Sequence, residues 1–147
     1  MAEDDIKKTL SGTRVEVAPE TFTLVSLTGE SWFKLLENPE LSPRMTAPFM
    51  ILKDRFEVTL LLDETDFRAM RPGLGEARVE NGFRLLTFDV ELDFSVVGFL
   101  AFVTAKLAEA RIPVVALSAF SRDHLLIKQA DLAGALRVLG EFVDELC

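Results

Sequence analysis

The chain has 147 residues, of which 49% are hydrophobic and 27% charged. That supplies a packed core and a soluble surface, and excludes a disordered composition. The formal net charge of −8 gives no general electrostatic attraction to nucleic acid or to anionic lipid. With a lone cysteine at position 147 and a lone histidine at 124, neither an intramolecular disulfide nor a convincing zinc ligand set can be drawn.

Residues 1–12 are acidic, then carry Lys7-Lys8 and Ser11-Gly12, and read as a flexible N-terminus. The start is unlike a signal peptide and no window reads as a membrane span, so the expected location is the cytoplasm. "TRVEVAP" predicts a short strand ending at Pro19, and the alternating "TFTLVSL" (21–27) a second. "GESWFKLLENP" predicts a short helix with Ser31 as N-cap. "PFMILKDRFEVTLLLD" predicts two strands around a turn at Lys53-Asp54-Arg55, with Phe56, Val58, Leu60 and Leu62 on one face. "ETDFRAMRPGLG" predicts a helix stopped by Pro72-Gly73, and "EARVENG" a further strand.

The second half repeats this order. "RLLTFDVEL" predicts a strand with Leu86, Phe88, Val90 and Leu92 inward. "FSVVGFLAFVTAKLAEARI" predicts a helix with the stripe Val96, Leu100, Val103 and Leu107. After Pro113 come the strand "VVALSAF", the polar knot Ser121-Arg122-Asp123-His124, the strand "HLLI", and a helix from about Ala130 with Leu132, Leu136, Leu139 and Val143 on one face. Leu62 pairs with Ile127 and Asp66 with Asp131 at a constant offset of 65 residues. A duplicated supersecondary unit follows.

Strand-helix-strand-strand-helix is the order of a ferredoxin-like (βαββαβ) unit, an α+β fold with helices on one face of an antiparallel sheet. The expected division is 13–82 and 83–147. The second unit lacks a fourth strand. Either "EFVDEL" forms one after Gly140, or the spare strand "TRVEV" completes the sheet and interlocks the units. The helical pattern across Gly140 favours the latter.

The junction "ELDFSVVGFL" draws attention as a strand-to-helix corner. A helix N-terminus presents unpaired N–H groups and a positive dipole end, a seat for a carboxylate. Asp93 and Ser95 are candidate caps or binding residues, and Gly98 opens space for a ligand or for packing. Gly98, Ala101 and Ala105, beside Phe102, form a small-residue face suited to another subunit or to the other unit. In the knot, Asp123 can accept from a cationic group, Arg122 can bind a carboxylate or face water, and His124 reads as an ordinary strand histidine. There is no nucleophile elbow and no phosphate-binding loop, so no catalytic residue or cofactor is assigned.

The block "DVELDFSVVGFLAFVTAKLAEARIPVVALSAFSRDHLLI" resembles an ACT domain, a small-molecule regulatory module. The family pattern is a strand, Asp-x-Pro-Gly-x-Leu opening a helix, Leu-Ala-Glu-Ala-x-Ile, then a strand pair. Gly98, Leu100 and "LAEARIPV" match; Val97 stands where the family has proline, and Asp93 lies further from Gly98 than is usual. "LSAFSRDHLLI" is similar to a signature of the tandem-ACT subfamily that includes the CASTOR-type arginine sensors. The resemblance implies amino-acid binding at an interface between ACT units. The backbone near Val97-Gly98 would hold the carboxylate, and Ala119, Phe120 and Ser121 with Asp123 would line the other side. It implies a homodimer regulating a separate partner protein, and carries no enzyme activity. The competing expectation is a ligand-free interaction or dimerisation module. A small enzyme is the third, with only His124 near acids to support it.

Overall fold

The computed structural model describes residues 3–147. In chain order the elements are α1 (Glu3–Ser11), β1 (Arg14–Val17), β2 (Phe22–Leu27), α2 (Gly29–Leu36), β3 (Met50–Lys53), β4 (Val58–Asp63), α3 (Glu64–Leu74) and β5 (Ala77–Asp89). There follow α4 (Phe99–Glu109), β6 (Val115–Ser118), β7 (Asp123–Lys128), a 3-10 turn at Gln129–Asp131, α5 (Leu132–Leu139) and the two-residue β8 (Glu145–Leu146). The chain divides into two compact units. One is continuous, Glu20–Gly82; the other is split, joining the residues up to Pro19 to Phe83–Cys147.

The continuous unit orders its strands β3-β4-β2-β5. β2 and β3 both run antiparallel to β4, with Val25 opposite Leu60 and Ile51 opposite Leu60. Val25, Leu27, Val58, Leu60 and Leu62 turn to one sheet face, where they bury Leu35 of α2 and Phe67, Met70 and Leu74 of α3. Thr28, not Ser31, is the N-cap of α2: its Oγ1 accepts from the Ser31 N–H at 3.1 Å. Phe56 does not continue the β4 face. It is 87% exposed in the turn, where Asp54 Oδ1 accepts from the Phe56 and Glu57 N–H groups and closes the chain one residue too early for strand alternation. Pro72 does not stop α3, which runs to Leu74; near the helix end it removes a single backbone bond. Two buried carboxylates lie at the start of α3. Asp63 caps the helix through the Asp66 N–H, while Asp66 takes the Nε of Arg44 at 2.6 Å.

In the split unit the order is β6-β7-β5-β1-β8. β1 runs antiparallel to β5, Val15 opposite Phe88, and so supplies the strand that 83–147 lacks. The other expected source also contributes: β8 pairs parallel to the far side of β1. Leu86, Phe88, Leu125 and Ile127 face a core closed by Phe99, Val103 and Leu107 of α4 and Ala135 and Leu139 of α5. Residues 3–11 correct the expectation of a flexible N-terminus. Three acidic residues occupy the first turn of α1, and Ile6 and Leu10, one helical turn apart, are 4% and 1% exposed in this same core. The expected boundaries shift with them, since residues 13–19 belong to the split unit.

The offset of 65 residues holds at every boundary from β3 through α3, which map onto β6, β7, the 3-10 turn and α5. It fails in the first half of each unit. β2 reaches Leu27 and α2 begins at Gly29, whereas β5 ends at Asp89 and α4 waits until Phe99. Residues 90–98 of the split unit are therefore a loop where a strand end and a helix start were expected.

Candidate functional site

That loop folds back on the tip of the β6–β7 hairpin. The Leu92 N–H donates to the Ser121 carbonyl at 2.9 Å, tying the two together. Asp93 does not cap α4. Its Oδ1 accepts from the Ser95 N–H at 2.8 Å and its carbonyl from the Val96 N–H, closing a tight turn before the helix. These bonds from the Ser95 backbone, then from its hydroxyl, hold the Asp93 carboxyl below the usual range. The N-cap is Gly98, at φ 92° and ψ 1°, a left-handed conformation that glycine adopts freely. No side chain caps α4. The first-turn N–H groups of the helix therefore keep their donor capacity and the positive end of the dipole.

Across from the helix start, the hairpin turns at Phe120-Ser121, with the Ala119 N–H donating to the Arg122 carbonyl. Of the polar knot, Ser121 and Arg122 lie in the connection, while Asp123 and His124 begin β7. Ser118 and Asp123 are cross-strand partners, and the Ser118 hydroxyl donates to Asp123 Oδ1 at 2.7 Å. Arg122 Nε donates to Asp89 at 2.9 Å, and its Nη1 lies 3.8 Å from Glu91. His124 points the other way, because its neighbours Leu125 and Ile127 face the core. Its Nδ1 pairs with the Thr87 hydroxyl at 2.8 Å, and burial holds it below the usual imidazole range.

Loop, helix start and hairpin tip border an open cavity of about 290 Å³. Of the sequence-derived candidates, Asp93, Gly98, Ala119, Phe120, Ser121 and Asp123 line it; Ser95 and Val97 do not. Ser95 instead closes the Asp93 turn, and Val97 is 66% exposed. Sequence reasoning did not assign Leu92, Phe94, Val96 or Ser118 to this wall, nor Phe99, Leu100 and Ala101 at the helix start. Phe94 and Phe120 meet edge to face, with centroids 5.1 Å apart, and are 78% and 82% exposed. The site thus sets uncommitted backbone donors opposite the Asp123 carboxylate, beside an apolar wall. The small-residue face is only partly free: Ala101 and Ala105 are exposed, but Phe102 packs on Phe142, and Gly98 lies against Ile6.

Among the described residues no helix is long and apolar enough to cross a membrane. No curated protein matches the sequence. Solved structures share its fold. A protein from Agobacterium tumefaciens is 16% identical with a TM-score of 0.68, over 92% of each chain. A protein of unknown function from Vibrio cholerae, called a possible transport protein, is 21% identical with a TM-score of 0.69, over 95% of this chain and 96% of the other. The regulatory subunit of aspartate kinase from Thermus thermophilus, in its ligand-free form, is 13% identical with a TM-score of 0.61, over 87% and 95%. At these identities the likeness is one of fold. Residues 78–141 match the family model of the ACT domain, so an ACT domain is found there, and it contains every residue that lines the cavity.

Proposed function

We propose that this chain is a small-molecule-binding regulatory protein whose ligand is an amino acid seated between the start of α4 and the β6–β7 hairpin. One observation carries the reading: an uncapped helix N-terminus and a carboxylate, Asp123, border the same cavity within the ACT-matching residues. The backbone that follows Gly98 suits an α-carboxylate. Asp123 keeps Oδ2 for an α-ammonium while Oδ1 holds Ser118. Ala119, Phe120 and Ser121 complete the wall, and Asp93 and Ser95 shape the loop that presents Gly98 and Val97.

On this reading the continuous unit is a second ACT-like unit, and the chain is a tandem-ACT protein of the CASTOR-type sensor subfamily. It acts in the cytoplasm as a homodimer, without catalysis of its own. Ligand binding at a subunit interface shifts its affinity for a regulated partner protein, by as much as the ligand distinguishes the two states. The aspartate kinase regulatory subunit among the fold neighbours supports a regulatory role.

Isothermal titration of the dialysed protein with each of the common amino acids tests this. Saturable heat with one of them, lost in Asp123→Asn, is expected. No heat with any amino acid would sink the proposal and favour a ligand-free interaction module.

A further inference from the structure

The cavity is lined by apolar side chains beyond the groups that an α-amino and α-carboxylate pair would meet, among them Leu92, Phe94, Val96 and Phe120. Phe94 and Phe120 stand at its mouth, each more than three-quarters exposed, although an aromatic ring in water is costly when a partner for it can be had. Their edge-to-face contact fixes the rings against each other and leaves ring face open. Leu92 and Val96, partly buried in the core cluster, continue the wall inward.

The charged groups at the site are already engaged. Arg122 is held by Asp89 and Glu91. Asp93 accepts from Ser95 and stands exposed on the loop, where an added ion pair is screened and weak. Asp123 shares one oxygen with Ser118 and has the other for an ammonium. Once the helix start takes the carboxylate and Asp123 the ammonium, a charged ligand side chain would lie against apolar rings with only the exposed, solvent-screened Asp93 or the already paired Arg122 to answer it, which is unfavourable. A volume of about 290 Å³ lies at the lower edge of the roughly 300–1,000 Å³ typical of ligand pockets, which suits one amino acid and not a peptide or nucleotide.

We infer that the ligand is an α-amino acid with an uncharged, apolar side chain, and that Phe94 and Phe120 are the residues that select it. The inference rests on the amino-acid reading above. It predicts measurable binding of leucine, methionine or phenylalanine. Alanine, which cannot reach the ring pair, binds roughly ten-fold more weakly, in keeping with the apolar area it leaves uncovered.

Calorimetric titration of the dialysed full chain with leucine, methionine, phenylalanine, alanine, arginine, lysine and glutamate, alongside Phe94→Ala, Phe120→Ala and Phe120→Leu, tests it. Each alanine variant should weaken the tightest apolar ligand roughly ten-fold and leave alanine's affinity unchanged; Phe120→Leu should keep most of it. Both rings are exposed, so the variants should fold, and thermal melts check this. Arginine, lysine or glutamate binding more tightly than leucine, methionine and phenylalanine would overturn the side-chain assignment while leaving the amino-acid reading intact. No heat with any of the seven overturns the side-chain assignment, and extending the titration to the remaining amino acids decides the reading itself. If the alanine variants keep every affinity but light scattering shows a dimer turned monomer, the rings serve a second copy and the inference is overturned.

Discussion

Replacing Gly98 by alanine separates two effects that oppose each other. At an ordinary backbone position glycine to alanine stabilises a fold by about 0.4–1 kcal/mol, because the unfolded chain loses freedom. Gly98 is not ordinary. With φ at 92° and ψ at 1°, a Cβ sits too close to the following carbonyl, at a cost of about 1–2 kcal/mol. That Cβ would also stand 3.2 Å from Ile6 Cδ1, a flexible side-chain end that can yield by a few tenths of an ångström. The balance is a net loss of about 1 kcal/mol, or roughly 2–4 °C in melting temperature for a chain of this size.

Urea unfolding at constant slope is the assay, since a changed midpoint with an unchanged slope isolates stability. Asparagine tolerates left-handed backbone, so Gly98→Asn should lose less than Gly98→Ala. Ile6→Val removes Cδ1, so adding it to Gly98→Ala should cost less than the two single changes together. A neutral or stabilising Gly98→Ala, with asparagine no better than alanine, would refute the claim that the loop hands the chain to α4 through a left-handed cap.

Three further outcomes follow from the same structure. Leu10→Ala should destabilise the fold by about 2–5 kcal/mol in urea unfolding, because Leu10 is 1% exposed in the core; a frayed terminus would show no change. Asp66→Ala should lower stability by roughly 1–3 kcal/mol in the same assay, since it removes the acceptor that holds Arg44 and the segment before β3; an unchanged midpoint would contradict that pinning role. His124 is the single histidine, and burial lowers its folded pKa below the unfolded value near 6.5. The unfolded state then binds the proton more readily, so this contribution to stability is present above pH 6.5 and is lost as pH falls through the folded value. Thermal melts from pH 8 to 5 should fall for the native chain and flatten in His124→Gln; parallel curves would remove His124 as the cause.

Repeat and periodicity located the elements in the second half of each unit, which recur at a constant offset of 65 residues, but misplaced details within them: Phe56 leaves the β4 face, α3 runs past Pro72, and α5 ends at Leu139, short of Val143. They failed at 94–98. Val96 and Leu100 carry apolar side chains four apart, a spacing a helix also uses, and Leu92 and Val96 do pack on the core, but from an irregular loop. Burial of apolar residues does not by itself distinguish the two, and the left-handed φ of Gly98 leaves no trace in a pattern of hydrophobicity. Phe94, assigned to a helix, was therefore lost from the site, whereas Asp123 and Phe120 were found through the hairpin signature. The helix at 3–11 was legible in principle, from acids in its first turn and Ile6 and Leu10 one turn apart; the charge of the segment outweighed that spacing in the reading.

The same loop explains why one unit has a helix start without a side-chain cap and the other does not. In the continuous unit a single residue, Thr28, separates β2 from α2, and its hydroxyl oxygen accepts from the Ser31 N–H. A helix capped from within offers fewer free donors to a ligand. In the split unit residues 90–98 lengthen the connection, move Asp93, the expected candidate cap, into a turn of its own, and deliver a glycine without a side chain at the cap. The absence of a capping side chain costs helix stability, of the order of 1 kcal/mol. On the proposed reading, the carboxylate of the amino acid offsets that cost. Two units of one topology thus differ in whether a side chain caps the helix that follows their first strand.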